Sequence, residues 1–428
     1  MTHRILILGA GYAGLTTAAR LARRLHPRDA HVTLVNAVPH FVERVRLHQL
    51  AAGQRLTELP LQKLLVGSGV QLVVGRVTSL DPERRLVHVV KATEGRSGGE
   101  LSLEYETLVY ALGSTADLGT TPGVAEHTFT IADAEGAAAL HDRAADLDAA
   151  GGVLGIVGAG LTGIEAAAEF AEAFPRLRIR LLSDGEPGEG LSPSAQRHLC
   201  RVFQRLNIDV RTHVRVTELR RDDVRIESGE AIQVDATLWA TGLVVPALAR
   251  ESGLAVDDDG RVLVDQTMRS FSHQDVYAVG DAALAHGPGR LSDQPLRMSC
   301  ATGIPMGWQA ADAIAARLRG GDPRPFRFRY APQTISLGRQ DGLIQFVRAD
   351  DSPHRAILTG RPAALWKESV VRGAMWSMRY PGFSLTPPRR RAARGVDGGP
   401  RQVRTGGATS WATATTAPTG SGRHRGQA

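Results

Sequence analysis

Two stretches of the 428-residue chain place glycines where a backbone could hold a phosphate. "RILILGAGYAGLTTAARLARRL" passes from an apolar strand through Gly9, Gly11 and Gly14 into an amphipathic helix. "GVLGIVGAGLTGIEAAAEFAEAF" repeats that order with Gly158, Gly160 and Gly163. Glycine permits a tight turn and a close backbone approach, and the first helical turn offers free N–H groups to a pyrophosphate. One such triple is weak evidence. Here each triple has its flanking strand and helix and is followed by a second strand, "HVTLVN" or "LRIRLLSDGE". Two copies in one chain imply two dinucleotides.

An acidic residue normally closes the second strand, where it binds ribose hydroxyls. The first copy has Asn36 there, which both donates and accepts but gives up the charge-assisted part of the bond. The second copy has Ser183 and then Asp184, with no arginine directly following. An aspartate that reaches the ribose would repel a 2′-phosphate, so this half reads as a site for NADH in preference to NADPH.

The elements that must position these loops are those of an α/β protein. Three further strands end in small residues: "LEYETLVYALGS" at Ala111 and Gly113, "VDATLWATG" at Gly242, and "DVYAVGDAA" at Gly280 and Asp281, with a helix expected next. The length suits two or three domains. The N-terminus runs straight into a strand, so no signal peptide is expected, and no apolar run is long enough to span a bilayer. Cys200 and Cys300 fit no metal-ligand or CxxC spacing. Cys200, in "RHLCRVFQRL", reads as a buried residue on an apolar helix face. The formal charge of +7 lies wholly in residues 387–428, which hold eight arginines and one acid, Asp397. That Gly-, Thr- and Pro-rich segment reads as a disordered basic tail, and nucleic acid is not the expected partner.

The ordered set of five motifs resembles the two-dinucleotide flavoproteins, the FAD-dependent pyridine nucleotide oxidoreductases. Within them it is most similar to type II NADH dehydrogenases and apoptosis-inducing-factor-like enzymes. The resemblance covers residues 3 to about 345. It implies two Rossmann-like domains, one inserted in the other, plus a small C-terminal α+β domain. The FAD domain would comprise 1–117 and 246–322, the NAD(P)H domain 118–245, and a C-terminal interface domain 323–386, which in the family often builds a homodimer. Gly9, Gly11, Gly14 and Asp281 would serve FAD; Gly158, Gly160 and Gly163 would serve NAD(P)H.

The same resemblance brings Glu165 to the contact between nicotinamide and flavin. The bland alternative is a glutamate favoured at a helix start by the dipole. It makes "FVERVRLHQLAAG" the loop that lines the flavin, with Arg44, Arg46 and His48 as candidates for chemistry or for cofactor contact. It sets the helix that starts in "MSCATGIPMGWQAADAIA" against the flavin ring. There small residues at Ser299, Ala301 and Gly303, with Thr302, let backbone approach, and helix N–H groups hold charge on the reduced ring. Cys300 at that start has either a lowered thiol pKa and a redox role, or simple packing beside the ring.

Departures from the family narrow the function. Residues 40–60 contain no cysteine, so the redox-active disulfide of the reductases is absent. The paired glutamines that meet the quinone head in quinone-using relatives fall on Ala301 and Pro305, and Gln309 lies too far along to substitute. "PAALWKESVVRGAMWSMRYPGF", with Trp366, Val370, Trp376, Lys367 and Arg372, reads as an interfacial helix broken at Gly373, or as a cover over the flavin domain or a partner subunit. The expected protein is a cytoplasmic FAD-dependent enzyme, with peripheral contact at the membrane's inner face as an open alternative. Hydride passes from NAD(P)H to flavin N5, and electrons go on to a quinone, a carrier protein, oxygen or a small metabolite. The rival is a flavin-dependent oxidase or dehydrogenase of an organic substrate.

Overall fold

The computed structural model describes residues 2–93, 96–287 and 294–379. The tail 387–428 lies outside the described residues.

The first glycine loop sits on a seven-stranded sheet. Its central strand, His3–Leu8, pairs in parallel with Ala30–Asn36 on one side and Thr107–Tyr110 on the other. Val276–Ala278 adds outside Thr107–Tyr110, and Gln71–Asp81 adds outside Ala30–Asn36, both parallel. Leu86–Thr93 and Arg96–Glu104 then extend Gln71–Asp81 as an antiparallel meander. Ile5, Leu6, Ile7 and Leu8 are all buried, as a central parallel strand covered on both faces requires. This strand order gathers Gly9, Ala111 and Gly280 at one edge, at the carboxyl ends of three neighbouring strands.

The second loop repeats the arrangement on a four-stranded parallel sheet ordered Asp209–Arg211, Arg178–Leu182, Val153–Val157 and Ala236–Trp239. Thr115–Ala116 and Leu243–Val244 pair antiparallel where the chain leaves the first sheet and returns to it. A three-stranded antiparallel sheet, Gln333–Ser336, Gly342–Val347 and Pro353–Thr359, precedes the last described helix, Arg361–Arg379. The fold is therefore α/β with two Rossmann-like units and a small C-terminal sheet and helix.

The helix Cys300–Arg317 packs through glycine on the helix Tyr12–Arg24 that follows the first glycine loop. A Cβ at Gly307 would lie 2.6 Å from the Ala13 carbonyl oxygen and 3.0 Å from Thr17 Oγ1. Thr17 Oγ1 donates to the Ala13 carbonyl at 2.8 Å, with the Gly307 carbonyl 3.3 Å away. Arg20 grips Asp312 with two bonds of 2.7 and 2.8 Å.

Three expectations need correction. Gly280 and Asp281 open a 3-10 turn, Gly280–Ala282, followed by the short strand Ala283–Leu284; the long helix starts only at Cys300. The last helix runs unbroken through Gly373, because packing of residues such as Ala363, Lys367 and Met378 outweighs the low propensity of one exposed glycine. Cys200 is exposed: helix Pro193–Arg205 buries Ala195, His198, Leu199, Val202 and Phe203, and Cys200 falls off that face.

These contacts set opposite signs for two glycine substitutions. Gly307→Val should destabilise the fold by about 1–3 kcal/mol, through overpacking against Ala13. Gly373→Ala, whose Cβ meets nothing within 4 Å, should stabilise by about 0.5–1 kcal/mol. Denaturant unfolding of the two variants beside the parent checks both signs.

Candidate active site

Within each glycine triple, the protein's own atoms crowd two positions and leave the middle one open. Gly9 has φ +94°, and a Cβ there would strike the Ala111 carbonyl oxygen at 2.4 Å. A Cβ at Gly14 would lie 1.9 Å from the Gly9 carbonyl oxygen. Gly11 is different: a Cβ there meets nothing within 4 Å. The second loop matches this. Gly158 has φ +105° against Thr241, Gly163 would clash at 1.8 Å with the Gly158 carbonyl oxygen, and Gly160 faces open space. A backbone cradle that a side chain would fill, at the start of a helix, fits a pyrophosphate in both halves.

Around the first cradle, Asn36 braces the loop. Its Oδ1 accepts from the Ala10 N–H at 2.9 Å and its Nδ2 donates to the Val38 carbonyl at 2.8 Å. Ser114 Oγ donates to Asp281 Oδ2 at 2.7 Å, and Arg44 Nη1 donates to the Ser114 carbonyl at 2.8 Å, so these three residues form one chain of bonds. Gly113 and Gly280 hold φ of +70° and +74°, the latter with a Cβ position 3.0 Å from Ala13. Ser299 caps helix Cys300–Arg317 by position only; Thr302 Oγ1 ties the entry to the Arg297 and Ser299 carbonyls at 2.7 and 2.8 Å. Ala301 is exposed. The lowered pKa expected for Cys300 is corrected: burial, with the Asp281 carboxylate behind it, pushes the thiol up.

In the second half, Ser183 is buried directly after its strand, and Asp184 is exposed beside it. The Ser183 backbone is pinned from both sides, its N–H to the Arg211 carbonyl and its carbonyl to the Val214 N–H. Gly242, φ +70°, packs against Asp117.

Glu165 and His48 are brought together, with Lys367 as a third member that the sequence reading did not pair with them. Glu165 Oε1 accepts from Lys367 Nζ on the last helix and from the Ser336 N–H at 2.9 Å. Burial alone pushes the Glu165 carboxyl up; Lys367 and the bonds it accepts outweigh this and hold it below the ordinary range. His48 Nδ1 lies 3.9 Å from Glu165 Oε2, beyond hydrogen-bond reach, and its Nε2 is buried without a protein partner. Burial lowers the His48 pKa to about 4 against the pull of Glu165, so the imidazole is neutral near pH 7. Arg46 does not join this cluster. It donates to Glu368 Oε1 at 2.7 Å and to Gln49 at 3.2 Å, with Glu43 at 3.5 Å. Glu169 is buried and bonded to Gln54 and Ser336, a structural brace between segments.

Lys367 is thus the buried partner of Glu165 on a helix that the sequence reading left open between an interfacial face and a cover over the flavin domain or a partner subunit. Its signal was compositional: only Lys63, Lys91 and Lys367 break an otherwise arginine-only set of basic side chains. A compact ammonium fits a narrow buried site where a guanidinium fork does not.

Two phosphate cradles at the carboxyl edges of two Rossmann-like sheets, with the inserted unit's Glu165 against the first unit's loop, define a two-dinucleotide flavoprotein oxidoreductase. The profile of the pyridine nucleotide-disulphide oxidoreductases matches residues 3–315, and the chain belongs to that family. It is 28% identical over 388 residues to the NADH dehydrogenase-like protein Rv1812c of Mycobacterium tuberculosis, covering 86% of this chain and 92% of that one. It is 27% identical over 398 residues to the demethylphylloquinone reductase NdbB of Synechocystis, covering 88% and 96%. Its fold superposes on the sulfide:quinone oxidoreductase of Aquifex aeolicus with a TM-score of 0.74 at 21% identity, over 89% of this chain and 92% of that one. This chain is accordingly an FAD-dependent NAD(P)H oxidoreductase. It has two cysteines, both free, and no redox-active disulfide.

The open space at Gly11 and Gly160 separates binding from folding. Gly11→Val should fold yet purify without FAD; Gly160→Val should retain FAD but lose its bleaching by NADH. Absorbance of the purified proteins and anaerobic mixing check both.

His48 makes stability pH-dependent with a known sign. Its folded pKa lies below the unfolded value near 6.5, so its contribution is complete above pH 6.5 and is lost as pH falls toward 4. The full span is about 3 kcal/mol. Melting curves at saturating FAD should fall more steeply over that window in the parent than in His48→Gln.

Proposed function

We propose that this chain oxidises NADH at the Gly158–Gly163 loop and passes the electrons to an acceptor on the Cys300 side of the flavin site. The observation that carries this reading is the Glu165–Lys367 pair, which ties the nicotinamide unit to the C-terminal helix beside the FAD-binding loop. FAD, when bound, supplies the two-electron relay between nicotinamide and acceptor. The protein's own residues do the rest. Gly9, Gly11, Gly14 and Asp281 hold the FAD phosphates and ribityl chain; Gly158, Gly160 and Gly163 hold the nicotinamide nucleotide. Arg44, through Ser114, keeps Asp281 in place. Glu165 stays ionised beside Lys367, and that pair stores a proton on Lys Nζ where an acceptor taking electrons would need one. His48, neutral, offers Nε2 as a further donor or acceptor.

The exposed Asp184 beside the ribose position supports NADH over NADPH. The domain limits 1–117 with 246–322, 118–245 and 323–386 remain part of the proposal, as does a homodimer through the C-terminal sheet. Among the described residues no helix is long and apolar enough to cross a membrane. Peripheral contact has its support in the exposed side chains of Leu365, Trp366 and Val370 on the last helix.

The relatives' names favour a quinone as acceptor. The chain's own residues argue for a weakly gripped one. Ala301 has no polar side chain and Pro305 lies inside helix Cys300–Arg317. Gln309 does not replace the missing amides: its Nε2 donates to the Arg324 carbonyl at 2.6 Å. Each lost carbonyl partner is worth about 1 kcal/mol. Anaerobic NADH oxidation over a panel of quinones, ferricyanide and one-electron carrier proteins should give quinone turnover that does not saturate. A low-micromolar KM for one quinone, with turnover above ferricyanide, would contradict this and restore a dedicated quinone site.

A further inference from the structure

A cleft of about 520 Å³ lies at the edge of the first sheet opposite the glycine loop. Its walls come from the amino-terminal ends of the strands at Thr107 and Val276, the turn at Pro82–Arg85, and the end of helix Cys300–Arg317. That helix is about 27 Å long, so the cleft is remote from the flavin-facing start.

Most charges in the cleft are already paired. Arg85 Nε meets Asp275 at 2.5 Å and Glu106 accepts from Arg4, while Glu83 is an exposed carboxylate at the rim, 3.5 Å from the His273 ring. Two guanidiniums are not so paired. Arg317 donates only to neutral oxygens, Tyr277 Oη at 2.6 Å and Thr267 Oγ1 at 3.0 Å. Arg269 bonds the carbonyl and side-chain oxygens of Gln274. Among the described residues neither has a carboxylate within salt-bridge distance, and each keeps N–H donors to spare. Both are only half-buried. The backbone beside them is held unusually: Arg85 has φ +55°, and the fully buried Met268, directly before Arg269, has φ +66°. Left-handed conformations at non-glycine residues cost free energy and persist where the surroundings impose them.

We propose that this cleft binds a small oxyanion, a phosphate or carboxylate group, between Arg269 and Arg317. Planar guanidiniums with free donors match such groups in geometry and charge, and the volume suits a small metabolite. The competing account is structural: Arg317 would serve only to offset the carbonyl end of its helix. In that case the cleft takes no ligand.

Calorimetry on the FAD-loaded protein distinguishes the two, with NAD⁺ saturating so that the nicotinamide loop is filled. Inorganic phosphate and succinate are titrated separately at constant ionic strength set by chloride. Saturable binding of at least one, with Kd below about 1 mM, is expected, and whichever binds identifies the group. Arg269→Gln and Arg317→Gln should each weaken it tenfold or more at unchanged FAD content. Arg269 holds only its own turn, so that variant keeps the test independent of the bonds Arg317 makes to Tyr277 and Thr267. Arg269→Lys should retain part of the affinity. Absence of any binding beyond chloride, or affinity unchanged in both Gln variants, would overturn the proposal.

Discussion

The contact between Glu165 and Lys367 is the constraint on which the rest of the site depends. It joins the helix Leu161–Ala173 of the inserted unit to the last helix, and the Ser336 N–H bonds the same carboxylate oxygen from the C-terminal sheet. The next residue along, Glu368, bonds Arg46 on the loop of the first unit. Two adjacent side chains of opposite charge therefore pin one helix to both dinucleotide-binding units. A buried pair of this kind adds little net stability, but removing one partner strands a charge and costs about 3–5 kcal/mol. Such a pair defines an arrangement more than it strengthens one. It fixes where the C-terminal helix lies over the junction of the two units.

The two glycine loops impose a second, independent constraint. In each, the first and third glycines are demanded by the protein's own backbone, since any side chain there would strike a carbonyl closer than 2.5 Å, except at Gly158, where Thr241 Cβ stands at 2.8 Å. The middle glycine has no such neighbour. The same short sequence thus sets a fold requirement at two positions beside open space at the third. Gly307 extends the pattern, because close approach of Cys300–Arg317 to Tyr12–Arg24 carries the start of the longer helix to the first loop.

What the sequence made legible follows from how local each signal is. Strand, glycine triple and helix are contiguous, so both cradles could be read from the chain with their register. Gly280 and Asp281 were placed correctly at a strand end, but the turn after them was not foreseen, because a 3-10 turn and a helix start share composition. Cys300 shows a signal that pointed the wrong way: the helix start favours a thiolate, while burial and Asp281, both tertiary effects, favour the thiol. Lys367 was harder still. On its own helix it sits among Trp366, Val370 and Arg372 and looks like part of an interfacial face; only packing reveals that it turns inward onto a carboxylate 202 residues away in the chain. Asn36 is similar, its amide committed to Ala10 and Val38 by the turn geometry of the loop.

Anaerobic stopped-flow of the two half-reactions in Lys367→Met, with Glu165→Gln/Lys367→Met as the control that leaves no stranded charge, tests the central claim most directly. If the pair serves the acceptor side, bleaching by NADH stays within about threefold of the parent in the double variant, a difference under 1 kcal/mol. Reoxidation by a quinone that takes up protons then slows at least tenfold, while reoxidation by ferricyanide, which takes up none, is unchanged. Equal slowing with both oxidants, or parent-like reoxidation with both, would contradict a proton-holding role for Glu165 and Lys367.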